Sequence, residues 1–151
     1  MNNEIIYDYY LAGPFFNENQ LEQQKMIEGL FKEGNKKCFS PRLDAGTLGD
    51  NPTKSDMLKV FYADLEAIKS CKILFANVSF RDTGTSVEIG YALARDIPVV
   101  LFWDKDNHDV DHVNLMIALA CDGNVIQSKK ELETYIKTNM LPDADFWFKV
   151  D

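Results

Sequence analysis

Lys72-Ile73-Leu74-Phe75-Ala76-Asn77-Val78 is followed, after a short loop, by Asp82-Thr83-Gly84-Thr85-Ser86-Val87-Glu88-Ile89-Gly90-Tyr91-Ala92. The first stretch reads as a buried strand, and the second as a glycine-containing loop that opens a helix over residues 86–95. Open α/β sheets bind ligands at the carboxyl ends of their strands, so Asp82 and Glu88 share a loop where chemistry is expected. The helix dipole and free N–H groups of a first turn favour a negative charge, which suits Glu88 as a nucleophile. Thr85 and Glu88 equally fit the S/T-x-x-E capping box, in which the acid only satisfies a backbone N–H.

Outward from that centre the chain alternates. Ile97-Pro98-Val99-Val100-Leu101-Phe102 is the nearly continuous apolar run of a central parallel strand, with Pro98 at its start. Residues 5–11 are β-branched and aromatic and are stopped by Gly13-Pro14, which predicts a first strand. Residues 37–40 and 124–126 are short strand candidates. Apolar residues recur at helical spacing over residues 19–33, over residues 55–70 through Met57, Val60, Phe61, Ala67 and Ile68, and over residues 113–120 and 130–137. Residues 41–52 are an irregular loop of a length that is often functional.

No repeat, low-complexity tract or linker divides the 151 residues, so the expectation is one α/β domain with a doubly wound parallel sheet. Phe146, Trp147, Phe148 and Val150 are too apolar for a solvated terminus and are expected to pack on this chain or on a neighbouring subunit. At 46% hydrophobic and 12% aromatic the chain can build a sizeable core. A net charge of -8 and a pI near 4.7 argue against nucleic acid or an anionic membrane as partner. Cys38, Cys71 and Cys121 have no metal or redox spacing, no basic leader opens the chain, and no apolar run approaches a membrane span, which together predict a cytoplasmic protein.

Asp64 falls on the apolar stripe of the second helix, where an unpaired carboxylate is costly unless it lines a polar cavity. If that helix begins at the same sheet edge, Asp64, Asp82 and Glu88 converge, and like charges raise some of their pKa values. There is no Walker A, no G-x-G-x-x-G and no Ser-His-Asp order. Residues 104–112 carry His108, His112 and several acids but lack the glycine and distal glutamate of a calcium loop, so no metal site is expected. Carboxylates alone suit chemistry at an anomeric carbon, where one attacks and another manages the leaving group's proton.

The stretches Tyr10-Leu11-Ala12-Gly13-Pro14-Phe15-Phe16, Tyr62-Ala63-Asp64-Leu65, residues 82–92 and Val113-Asn114-Leu115-Met116-Ile117-Ala118, taken together, resemble nucleoside 2-deoxyribosyltransferases. The resemblance implies a flavodoxin-like five-stranded parallel sheet and the transfer of 2-deoxyribose between purine and pyrimidine bases by a retaining ping-pong reaction, without cofactor or metal. It implies Glu88 as nucleophile, Asp64 and Asp82 as residues that hold the nucleoside and handle the base's proton, and Tyr9 or Tyr10 as the orienting tyrosine. Strand alternation sends those two to opposite faces; Tyr10 is taken as catalytic and Tyr9 as substrate-binding.

Gly13, Phe15 and Gly84 are expected to line the substrate site, and Asp44, beside Arg42 in the 41–52 loop, to border the base. Asn114 and Met116 match a segment that reaches a neighbouring subunit's site, so a homo-oligomer is implied; a helix cap and a core methionine are their bland alternatives. Two rival functions remain. A hydrolase of 2′-deoxynucleoside 5′-phosphates would need a cationic cradle, for which Arg42, Lys54 and Arg81 are the candidates. A non-catalytic nucleotide-binding module could share the α/β pattern.

Overall fold

The computed structural model describes residues 4–123 and 125–142; the aromatic tail at 146–150 lies outside them. Four parallel strands, β1 (Tyr7–Ala12), β2 (Cys38–Phe39), β3 (Cys71–Asn77) and β4 (Val99–Phe102), form one sheet in the order β2-β1-β3-β4. Tyr9 pairs with Cys38 on one side and Ile73 on the other, and Leu74 pairs with Val99.

Alternation along these strands divides the core in two. Tyr9, Leu11, Phe75, Val100 and Phe102 pack with Ile27 and Phe31 of α1 (Glu18–Glu33) and with Leu132 and Ile136 of α6 (Lys129–Thr138). Tyr10, Ala12, Leu74, Ala76 and Leu101 face the other way, onto Ala67 and Ile68 of α3 (Lys54–Lys69) and Ile89 and Ala92 of α4 (Thr83–Ala94). Phe31, Phe75 and Phe102 are fully buried, each worth roughly 1.5–3 kcal/mol relative to exposure. Because α1 leaves β1 over one face and α3 enters β3 over the other, the connections diverge between β1 and β3, and a crevice opens at their carboxyl ends.

A fifth strand was expected at residues 124–126, and the sheet has four. A single parallel bridge, Phe102 to Ile126, occupies the fifth position, with Ile126 N–H donating to the Leu101 carbonyl at 2.9 Å and Trp103 N–H donating to the Ile126 carbonyl at 2.9 Å. The ladder has no room to grow. Asp122 and Gly123 turn the chain at φ 56° and 76°, and Ser128 already caps α6. The fold is flavodoxin-like in strand order with its edge strand reduced to a bridge.

Two further expectations change. Residues 41–52 contain a one-turn helix, α2 (Pro41–Asp44). The apolar stripe of α3 reaches the core only at its carboxyl end: Met57 and Phe61 are about half exposed, as are Leu58 and Tyr62. Helices between parallel strands run back against them, so the first turns of α3 overhang the crevice instead of covering the sheet. The short α5 (Leu115–Ala118) follows the loop after β4. Among the described residues no helix is long and apolar enough to cross a membrane.

Candidate active site

A cleft of about 470 Å³ opens at the carboxyl ends of β1 and β3. Gly13 and Phe15 enter it from the loop after β1, Asp64 and Val60 from α3, and Asp82, Gly84 and Glu88 from the start of α4. The remaining wall, Pro41, Arg42, Gly46, Thr47 and Leu48, comes from α2 and the residues after it. Phe15 and Phe16 stack on each other with ring centroids 5.1 Å apart and present an aromatic surface to the cleft.

The amino end of α4 differs from the capping-box reading. The cap is Asp82: its Oδ2 accepts from Thr85 N–H at 2.9 Å and from the Thr85 hydroxyl at 2.6 Å. Because the helix starts at Thr83 and not near Ser86, Glu88 lies beyond the first turn, which holds no acid. Glu88 therefore has no capping duty, and the dipole, which acts mainly over the first turn, does little for its charge.

Its environment is set by burial. Glu88 Oε2, Asp64 Oδ1 and the Tyr10 hydroxyl are each buried without a hydrogen bond of regular geometry among the described residues. Tyr10 is nonetheless near enough to both acids to stabilise their ionised forms. Desolvation is the main effect on the acids: it raises Glu88 to about 8, with smaller contributions from the Asp64 and Asp82 charges, and raises Asp64 to about 6. Burial, then the Glu88 and Asp64 charges, push the Tyr10 phenol far above its ordinary range, so Tyr10 stays protonated and can only donate to them. Two acids with unspent hydrogen-bonding capacity line the cleft beside the fully buried Tyr10, and such a set marks a place where a ligand completes it.

Behind the cleft, α1 carries three buried glutamines. Gln20 Oε1 accepts from Phe16 N–H at 2.9 Å, Gln24 donates to the Leu11 carbonyl at 3.3 Å, and Gln23 Oε1 accepts from Asn77 Nδ2 at 2.7 Å. They pin the loops after β1 and β3 to the helix. Gly13 is required by proximity: a Cβ there would stand 2.5 Å from Gln24 Oε1 and 3.1 Å from Asn77 Cβ.

Four expected site residues lie elsewhere. Tyr9 points to the opposite face of the sheet, packs on Phe31 and bonds its hydroxyl to that of Tyr135 at 3.1 Å. Asp44 is exposed and turns back to accept from Ser40 N–H at 2.9 Å, beside a different recess. Asn114 caps α5, accepting from Met116 N–H at 2.9 Å. It lines a second recess of about 350 Å³ with Arg81, Ser86 and His112, on the other side of Asp82. Met116 is 70% exposed and is not a core residue. The cleft also contains Val60, Gly46, Thr47 and Leu48, which the sequence singled out only as helix stripe and loop; no motif marks them.

A family model described as Nucleoside 2-deoxyribosyltransferase matches residues 9–132. Among solved structures, a 2-deoxyribosyltransferase from the psychrotolerant bacterium Bacillus psychrosaccharolyticus is 30% identical, with a TM-score of 0.74 over 84% of this chain and 90% of that one. A conserved protein from Enterococcus faecalis V583 shares the fold at 23% identity, with a TM-score of 0.71 over 89% of this chain and 99% of that one. No curated protein matches.

Proposed function

The chain belongs to the nucleoside 2-deoxyribosyltransferase family, and from that premise we propose that it moves 2-deoxyribose between purine or pyrimidine bases through a covalent deoxyribosyl-Glu88 intermediate. The observation that carries the reading is the meeting of the Glu88 and Asp64 carboxyls with the buried Tyr10 hydroxyl at one cleft. In the first half-reaction a Glu88 oxygen attacks the anomeric carbon from the face opposite the base. The carbon–nitrogen bond breaks, its electron pair leaves with the base, and Asp64 supplies the proton that neutralises the base. In the second half a nitrogen of the incoming base attacks the same carbon from the vacated face. The ester to Glu88 breaks, and the proton shed by the new base returns to Asp64. Two inversions give net retention.

Burial raises Glu88 above Asp64, so in the free cleft the pair's last proton rests mainly on Glu88. Transfer uses the minor arrangement in which that proton is on Asp64 and Glu88 is ionised. Between about 6 and about 8 the Asp64 and Glu88 pair holds one proton, the state that supplies one acid and one nucleophile. Tyr10 donates to a Glu88 anion and orients it. Asp82, whose Oδ2 is taken by Thr85, offers Oδ1 to a sugar hydroxyl, and Phe15 packs on the nucleoside.

Nucleosides are favoured over their 5′-phosphates as donors. Three of the charged residues lining the cleft are acids, and the fourth, Arg42, is paired with Glu28 at 2.7 Å. Arg81 lies at the other recess, and Lys54 lines neither. A phosphate finds no free cation in the cleft among the described residues, which counts against the hydrolase.

A second copy of the chain is read as covering the overhang of α3, where Met57, Leu58, Phe61 and Tyr62 are exposed. Asn114 and Met116, outside their own cleft, would then serve the partner's, and sedimentation of the purified protein as a single subunit would refute that. The activity itself is tested by incubating thymidine or deoxyinosine with adenine and following products by chromatography. New deoxyadenosine is expected. Release of base and free deoxyribose without exchange, or no turnover, would overturn the reading.

A further inference from the structure

Glu28 sits on α1 and does not line the cleft, yet it makes three hydrogen bonds to the segment that forms one cleft wall. Its Oε2 accepts from the Ser40 hydroxyl at 2.8 Å, and its Oε1 accepts from Arg42 Nε at 3.2 Å and Arg42 Nη2 at 2.7 Å. The two side chains are only 10% and 23% exposed, so the pair is screened less than a surface ion pair. The wall has little else to hold it. Helix α2 is one turn long, its cap Ser40 makes no side-chain capping bond because the hydroxyl goes to Glu28, and Gly46 follows at φ 92°.

We propose that Glu28 is a specificity-positioning residue, which fixes the 41–48 wall against the nucleoside and withholds the positive charge of Arg42 from anionic ligands. The inference rests on the nucleoside reading of the cleft and deepens it by saying what sets its charge preference. With Glu28 ionised, Arg42 is compensated and the cleft keeps the net negative character of Asp64, Asp82 and Glu88. Without that charge, Arg42 becomes an uncompensated cation at the rim of a carboxylate-lined site, and an anionic nucleotide is tolerated better. The same change loosens the wall, so base affinity suffers before the chemical step does.

The test is titration calorimetry of deoxyinosine and deoxyinosine 5′-monophosphate against the wild-type chain, Glu28→Gln, Arg42→Met and the double variant, with exchange kinetics alongside. Gln keeps an acceptor for Arg42 and places an NH2 donor toward the Ser40 hydroxyl, which can accept, while removing the charge. In Glu28→Gln the affinity ratio of monophosphate to nucleoside should rise about fivefold, the scale of one partly screened charge. Loss of the Arg42 charge in the double variant should return the ratio to the wild-type value. Arg42→Met alone should not raise the ratio, because the charge it removes was already withheld and the Glu28 charge it uncovers is negative. In Glu28→Gln, KM for the acceptor base should rise more than kcat falls. A ratio that does not move, including nucleotide binding undetectable in every protein, overturns the proposal, as does a rise that persists in the double variant. Absence of exchange in the wild-type chain would instead refute the transfer reading, while the calorimetric ratios still decide the role of Glu28.

Discussion

Asp82 holds Thr85 through a single oxygen, Oδ2, which accepts both the Thr85 N–H at 2.9 Å and its hydroxyl at 2.6 Å. That pairing starts α4 and releases Glu88 from any part in the cap. Glu88→Gln should therefore leave the helix intact while abolishing exchange by on the order of 10³-fold or more, since an amide is a poor nucleophile. Circular dichroism and product chromatography on the same sample check both halves.

The same substitution carries a stability prediction of defined sign. The folded-state pKa of Glu88, about 8, lies above its ordinary 4.5. The wild-type protein therefore has its full share of stability from this group below about pH 4.5 and loses it as pH rises through about 8. Glu88→Gln removes that loss, so its Tm should exceed the wild-type value at pH 8.5 by several degrees and differ little at pH 5, as read by scanning calorimetry.

Turnover should follow a bell with limbs near pH 6 and pH 8, the bounds between which Asp64 and Glu88 share one proton. Below the lower limb the nucleophile is protonated, and above the upper one the leaving base has no acid. A plateau extending well above pH 9 would contradict the acid role of Asp64.

Tyr10→Phe removes a donor that lowers the pKa of both acids. The expected outcome is a fall in kcat of about ten- to a hundredfold, the value of a hydrogen bond to a charged group, with both limbs of the pH profile moved upward. Tyr9→Phe should leave the limbs in place, because its hydroxyl is engaged by Tyr135 on the other face of the sheet.

Gly13→Ala places a methyl 2.5 Å from Gln24 Oε1 and 3.1 Å from Asn77 Cβ. Gln24 is 1% exposed and its amide is tied to Leu11, so it cannot swing away freely. Destabilisation of about 1–3 kcal/mol is expected, measurable by urea unfolding.

What the sequence made legible follows from which forces act locally. The apolar runs at 72–78 and 97–102 became β3 and β4 because fully buried parallel strands need unbroken hydrophobicity, and alternation alone put Tyr9 and Tyr10 on opposite faces. Asp82 and Glu88 stood out because they follow the first of those runs, and Asp64 because it interrupts the apolar stripe of a helix. The fifth strand was misread: Val125 and Ile126 have strand character, but the turn at Asp122–Gly123 and the cap at Ser128 leave no length for pairing. Glu88 was misplaced by one turn, since Asp82 and Thr85 are both good cap residues and only the three-dimensional path of the loop chooses between them. Asp44, Asn114 and Met116 lie outside the cleft because spacing within a loop or a four-residue helix carries no directional rule comparable to strand alternation.

The most direct measurement is intact-mass spectrometry of the protein quenched in acid after incubation with deoxyinosine in the absence of an acceptor base, followed by peptide mapping. The account predicts one deoxyribosyl group per chain, carried by the peptide containing Glu88 and absent from Glu88→Gln. Exchange without any adduct, or an adduct on Asp64 or Asp82, would contradict it.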